Sequence, residues 1–207
     1  MSAFLGPIHY WLYNKIIIQE NLVEMILKLN EIEGYVPELQ KEVDRECGTI
    51  ETKPLEEMID TGNIHGWLQE RIIIVEKRLS FVVTAIVKDD AKRMEEILDV
   101  AYQMGEETYA QVTETETLDT AEKVYKAIND MLLDGMPCDR INELLETSED
   151  QVVYRQSRCI HEAYWVEFGG LIMNYYDIRR KFLQGFLVKS GFEFVVDEQD
   201  NFRIRRK

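Results

Sequence analysis

Gly6-Pro-Ile-His-Tyr-Trp-Leu-Tyr-Asn-Lys-Ile-Ile-Ile-Gln-Glu20 recurs 56 residues on as Gly62-Asn-Ile-His-Gly-Trp-Leu-Gln-Glu-Arg-Ile-Ile-Ile-Val-Glu76. Nine of the 15 positions are identical and Lys15 aligns with Arg71. The chain has three histidines, and two of them fall in register here, as do two of its three tryptophans. Apolar residues at helical spacing make each copy a helix, and the Ile16–Ile18 and Ile72–Ile74 triplets make both central. On those helices His9 shares a face with Leu12, Ile16 and Glu20, and His65 with Leu68, Ile72 and Glu76. Eleven residues from His to Glu span three turns and a rise of roughly 16 Å, so the two share a face without meeting. If each copy opens an up-down helical hairpin, with repeats over 6–60 and 62–112, the two first helices run parallel. His9 and His65 then share one layer of a bundle, and Glu20 and Glu76 another.

Outward from the repeats, most of the chain reads as helix. Pro7 suits a first helical position and opens a helix over 7–30, which Gly34 breaks. Short amphipathic pieces follow at 37–46 and 54–59, then long helices at 64–87 and 88–112. Thr113-Glu-Thr-Glu-Thr117 is the candidate linker, so the second region is 118–207 and packs with the first as one body. Further helices are expected at 119–133, 139–145, 148–168 and 171–189. The tail alternates with period two in Phe192–Val196 and Phe202–Arg205, on either side of Asp197-Glu-Gln-Asp-Asn201, which marks a β-hairpin. The expected fold is therefore an all-α, internally duplicated multi-helix bundle with a small C-terminal β-hairpin.

Charge narrows the function. The 207 residues carry 24 Lys and Arg against 39 Asp and Glu, a formal net charge of −15. Such a field repels nucleic acid and anionic lipid, which argues against a nucleic-acid coat or a peripheral membrane protein. No apolar run reaches the roughly 20 residues that span a bilayer. Residues 1–7 lack the basic region that opens a signal peptide, so a cytoplasmic protein is expected. Residues 1–150 hold 14 basic and 32 acidic side chains, whereas 151–207 hold 10 and 7. The basic tail suits docking on the acidic bundle, within the molecule or its dimer mate; the sharper alternative is an anionic partner. So apolar a set of helices suits a homodimer. Cys47, Cys138 and Cys159 have no CxxC spacing, so they fit reduced thiols better than a zinc knuckle or a redox pair.

The histidines carry the chemistry. His9 and His65 lie in the first turns of their helices, where unpaired N–H groups make a neutral ring with a free lone pair the favoured form. His161, in Cys159-Ile-His-Glu-Ala-Tyr-Trp165, could complete a three-histidine set from separate helices, with Glu162 or Cys159 as a further donor. Zinc or iron suits imidazole with a carboxylate. Trp11, Trp67, Tyr164 and Trp165 would line a ligand pocket beside it. The plain alternative is that each His–Trp pair packs a helix start, its ring bonded to the preceding loop. No HxxxH, ExxH or HExxH occurs, and no Walker loop, GxGxxG or GxSxG. A metal- or small-ligand-binding sensor, carrier or accessory protein is the functional expectation.

A second expectation rests on Gly135-Met-Pro-Cys-Asp-Arg-Ile-Asn-Glu-Leu-Leu-Glu-Thr-Ser-Glu-Asp-Gln-Val-Val-Tyr-Arg-Gln-Ser-Arg158. With Ile141, Leu144 and Leu145 inside a short helix, Ser148 as cap and Val152 in the next, this segment resembles a bacterial helix-turn-helix of the sigma-factor region-4 kind. The likeness covers 24 residues and departs at Glu146 and Thr147; Glu149 and Asp150 would repel phosphate. It implies a DNA-associated regulator contacting DNA through Arg140, Arg155 and Arg158.

Overall fold

The computed structural model describes residues 4–51 and 53–207. Residues 1–3, on which part of the leader expectation rests, and residue 52, inside the first expected repeat, lie outside the described residues. Helix α1 (Pro7–Glu33) starts with Pro7 at its first position. His9 Nδ1 accepts the Gly6 N–H at 2.9 Å, so an imidazole takes the place a carboxylate holds in an ordinary capping box. Gly34 ends the helix in the left-handed region (φ 67°), returning its N–H to the Asn30 carbonyl. Helix α4 (Ile64–Val87) is capped differently, by the Asn63 side chain accepting the Gly66 N–H.

Helices α1 and α4 pack side by side and run parallel. His9 lies against His65, Tyr13 against Trp67, Gln19 against Glu76 and Glu20 against Arg78. Resemblance between the copies stops there. The first helix is followed by short α2 (Leu39–Cys47) and α3 (Leu55–Met58), whereas α4 is followed by the long α5 (Arg93–Thr113). Helix α2 packs on α4, while α5 packs mainly on α8 (Ile172–Leu187). The expected repetition of layout over 6–60 and 62–112 is therefore confined to the first helix of each copy.

Two apolar clusters fill the interior. Leu12, Ile16, Ile64, Leu68 and Ile72 belong to one, near the starts of α1 and α4. Val23, Ile26, Val82, Ile86, Ala101 and Phe186 belong to the other, larger one. Between them lies a buried polar layer: Gln19, Glu20, Glu76 and Arg78. Arg78 donates through Nε to both oxygens of Glu20 (2.9 and 3.0 Å), and its Nη atoms reach Asp44, Glu24 and the Gly48 carbonyl. Every face of the guanidinium is met, which offsets the desolvation that burying it entails.

The all-α expectation is overturned by a four-stranded antiparallel sheet, which makes the fold mixed α/β. The strands are β1 (Asn142–Thr147), β2 (Gln151–Gln156), β3 (Phe192–Val196) and β4 (Phe202–Arg206), in the order β1-β2-β4-β3. The hairpin expected at the C-terminus is β3–β4. The helices expected at 139–145 and 148–168 are replaced by a short 3₁₀ turn (Pro137–Asp139), the hairpin β1–β2 and a brief α7 (Glu162–Glu167). Val152, Val153 and Tyr154 are β-branched or aromatic and buried, and β2 is bonded on both sides, to β1 and β4. Ser148 closes the hairpin: its N–H donates to the Gln151 carbonyl and its Oγ accepts the Gln151 N–H. Ile141, Leu144 and Leu145 have helical spacing, but β1 is an edge strand with a register shift between Leu144 and Glu146, and both leucines are exposed. The sheet's inner face meets α6 (Ala121–Met131) and α8.

Helices α5 and α8 approach closely through two glycines. A Cβ on Gly105 would fall 2.1 Å from the Phe182 carbonyl oxygen, and one on Gly185 2.0 Å from that of Tyr102. The basic tail is satisfied locally. Arg203 pairs with Asp197 (2.7 Å), Arg205 with Glu193 (2.7 Å) and Arg206 with Asp150 (2.6 Å). Among the described residues, no helix is long and apolar enough to cross a membrane.

Candidate functional site

The histidines part company. The rings of His9 and His65 lie 5.6 Å apart at the starts of the parallel helices. With Nδ1 of His9 accepting a backbone N–H, the neutral ring carries its proton on Nε2. Ligation through Nε2 would put a proton on Nδ1, where it would face the Gly6 N–H. His161 is elsewhere. It is 1% exposed, its Nδ1 is 3.0 Å from Glu76 Oε2, and its ring stacks on Tyr175 at 4.0 Å. Glu76 is three turns of α4 beyond His65, roughly 16 Å along the axis. The three rings therefore do not share one space. Glu162 and Cys159, the further donors, are exposed. Among the described residues no group of three or more His, Cys, Asp or Glu side chains is placed to hold a metal ion.

The aromatics of the expected pocket are dispersed. Trp11 donates to Asp130 Oδ1 (2.8 Å) and carries the Lys15 ammonium 3.5 Å over its ring. Trp67 sits against Tyr13 and under Arg71, at 5.8 and 4.0 Å, so the duplicated Trp–cation pair at i,i+4 is structural. Trp165 is buried in the main core and Tyr164 is half-buried on α7. The residues of the DNA reading do not form a helix-turn-helix. Arg155 lies on β2 bound to Glu143 (2.8 Å), Arg158 lies 3.5 Å from Asp139, and Arg140 follows the 3₁₀ turn with φ 48°. No recognition helix exists in this segment.

Two features were not anticipated. The first is a buried charge cluster around Asp134, just beyond α6, whose side chain is 7% exposed. Asp134 accepts from both terminal nitrogens of Arg179 (2.7 and 3.1 Å), from Asn142 (2.8 Å) and from Gln156 (2.9 Å). His161 Nε2 lies 3.9 Å from it. Burial alone would raise the Asp134 carboxyl; Arg179 and the contact with His161 outweigh it and hold the group well below the usual carboxylate range. Burial would likewise discharge His161, but the Glu76 carboxylate and the Asp134 contact push its pKa up to about 9. Nearby Lys15, 3% exposed and with no ion pair among the described residues, is lowered to about 8 by burial, with Asp134 and Asp130 acting against that. Each duplicated glutamate thus has its own cation: Glu20 holds Arg78 and Glu76 holds His161. This cluster is a fixed frame that ties α1, α4, α7, α8 and the sheet together.

The second feature is a groove of about 450 Å³ between α1, α5 and α6. Its exposed rim is polar, with Asn14 and Asn21 from α1, Glu107 and Gln111 from α5, and Glu116 beyond α5. Half-buried Asp130 closes the α6 side. The floor is apolar, made of Met104, Ala127 and Met131, all buried. Among the described residues three carboxylates line it and no lysine or arginine does, although Asp130 is already paired with Lys126 (2.6 Å), so Glu107 and Glu116 are the carboxylates left to a ligand. One signal for this site was present in the sequence: asparagines at 14 and 21, seven apart, share a helix face with apolar Trp11, Ile17, Ile18 and Met25. The carboxylates of α5 and α6 come from distant segments and gave no local signal. No protein-family model, curated protein or solved structure matches the chain.

Proposed function

We propose that the chain is a small-ligand-binding protein, in a sensor or carrier role, that takes a positively charged molecule into the α1/α5/α6 groove. The observation that carries this reading is the lining: an apolar floor below a polar rim whose charged members are all carboxylates. The volume suits a small molecule, since ligand pockets run from about 300 to 1,000 Å³. Asn14, Asn21 and Gln111 supply neutral donors and acceptors for orientation, and two floor methionines adapt to irregular shapes. Carboxylates at a half-open rim attract a cation at long range and contact it with little desolvation. The three free cysteines, two of them exposed, support a reducing, cytoplasmic compartment.

The test is amide chemical-shift mapping with hexyltrimethylammonium and with hexyl sulfate as the probe of opposite charge. The cation is expected to shift α1, α5 and α6 resonances around Asn21, Gln111 and Asp130, with hexyl sulfate leaving them unmoved. Equal shifts with both probes, or shifts confined to other faces, would overturn the reading.

A further inference from the structure

Behind the groove lies a second cavity of about 50 Å³, and the two share Ile18, Met104 and Met131 as lining residues. Leu22, Leu132 and Phe182 form other parts of its wall, which is almost wholly apolar. Even the polar residues there present carbon. Gln19 ties its amide to Glu76 (3.1 Å), and Arg179 ties its guanidinium to Asp134, so their methylenes are left to face the space. A water molecule needs two to four polar partners, and this wall offers almost none. An apolar group fits there.

Resting on the groove reading above, we infer that the ligand is an amphipathic amine: its cationic head meets Glu107 and Glu116, and a short alkyl tail passes Ile18, Met104 and Met131 into the inner cavity. The charge pattern selects the head and the inner wall selects the tail. Room for about three or four non-hydrogen atoms sets the useful tail length, at one probe volume per atom. Met104 and Met131 are unbranched and flexible, whereas Ile18 is β-branched and stiff, so the passage between the two spaces widens through methionine rotamer changes.

The experiment is calorimetric titration of the intact chain with n-alkyltrimethylammonium ions, the tail lengthened one carbon at a time from methyl to octyl. Kd is expected to fall about fourfold per added methylene, the transfer value for an apolar group. It levels once a tail of about three or four carbons fills the inner space. Leu132→Phe, at a half-buried position of the inner wall alone, is expected to leave the methyl member's Kd unchanged and to remove the gain from longer tails. Leu132→Ala, which widens the same space, extends the gain by further carbons and serves if the larger side chain unfolds the protein. A Kd independent of tail length in the wild type, or one with the same slope in both variants, overturns the tail assignment while leaving a cation in the groove. Failure of every member of the series to bind overturns the groove reading and the tail with it.

Discussion

His161 is the residue whose partners decide most. Its imidazolium stands between Glu76 and Asp134, and its pKa is raised from an ordinary 6.5 to about 9. A base whose folded pKa is raised contributes stability that is fully present below its unfolded value and is lost as pH rises through the folded one. Unfolding free energy is therefore expected to fall by roughly 3 kcal/mol between about pH 6.5 and 9 on this account. Lys15 acts in the opposite sense: its burial penalty is felt below about pH 8 and relieved towards 10.5. The two are separated by comparing urea unfolding of the wild type and His161→Gln across that range. The variant should be less stable at pH 6 and should lack the wild type's decline. A wild-type decline that survives in the variant would show that His161 is not its source. His9 and His65 were readable as neighbours because the repeat itself puts them in register. His161's partners were not, because Glu76 is 85 residues away and Asp134 carries no local motif.

Among the elements, α1, α4 and the terminal hairpin were legible because their patterns are local: a Pro at a helix start, a Gly at its end, alternation around an Asp-rich turn. Segment 139–168 was misread for an equally physical reason. Ile141, Leu144 and Leu145 have the spacing of a helix face, and what makes β2 a strand is β4, about 50 residues further on. Long-range pairing outweighed local periodicity. The α5–α8 crossing has its own test. A methyl at Gly105 would meet backbone oxygen, which a rotamer change cannot relieve. Gly105→Ala should lower stability by about 1–3 kcal/mol despite alanine's better helix propensity, read as a lower urea midpoint with an unchanged slope. A gain in stability would mean that the two helices are not in close contact there.

Across the whole molecule, two apolar clusters are divided by a polar layer, and among the described residues every buried charge but Lys15 has a partner of opposite sign. Helix α1, part of that frame, also walls the groove with α5 and α6, and carboxylates from the chain's acidic surplus stand at its rim. Charge excess was plain from composition, but the concavity was not, since its walls come from segments far apart in the chain. The central claim is that this groove takes a cation, and the most direct measurement is the Kd of hexyltrimethylammonium for the wild type and for the Glu107→Gln/Glu116→Gln variant, at low and at high salt. The account predicts tight saturable binding to the wild type that weakens with salt, and weaker, less salt-sensitive binding to the variant. Equal affinity for both proteins, unmoved by salt, would contradict it.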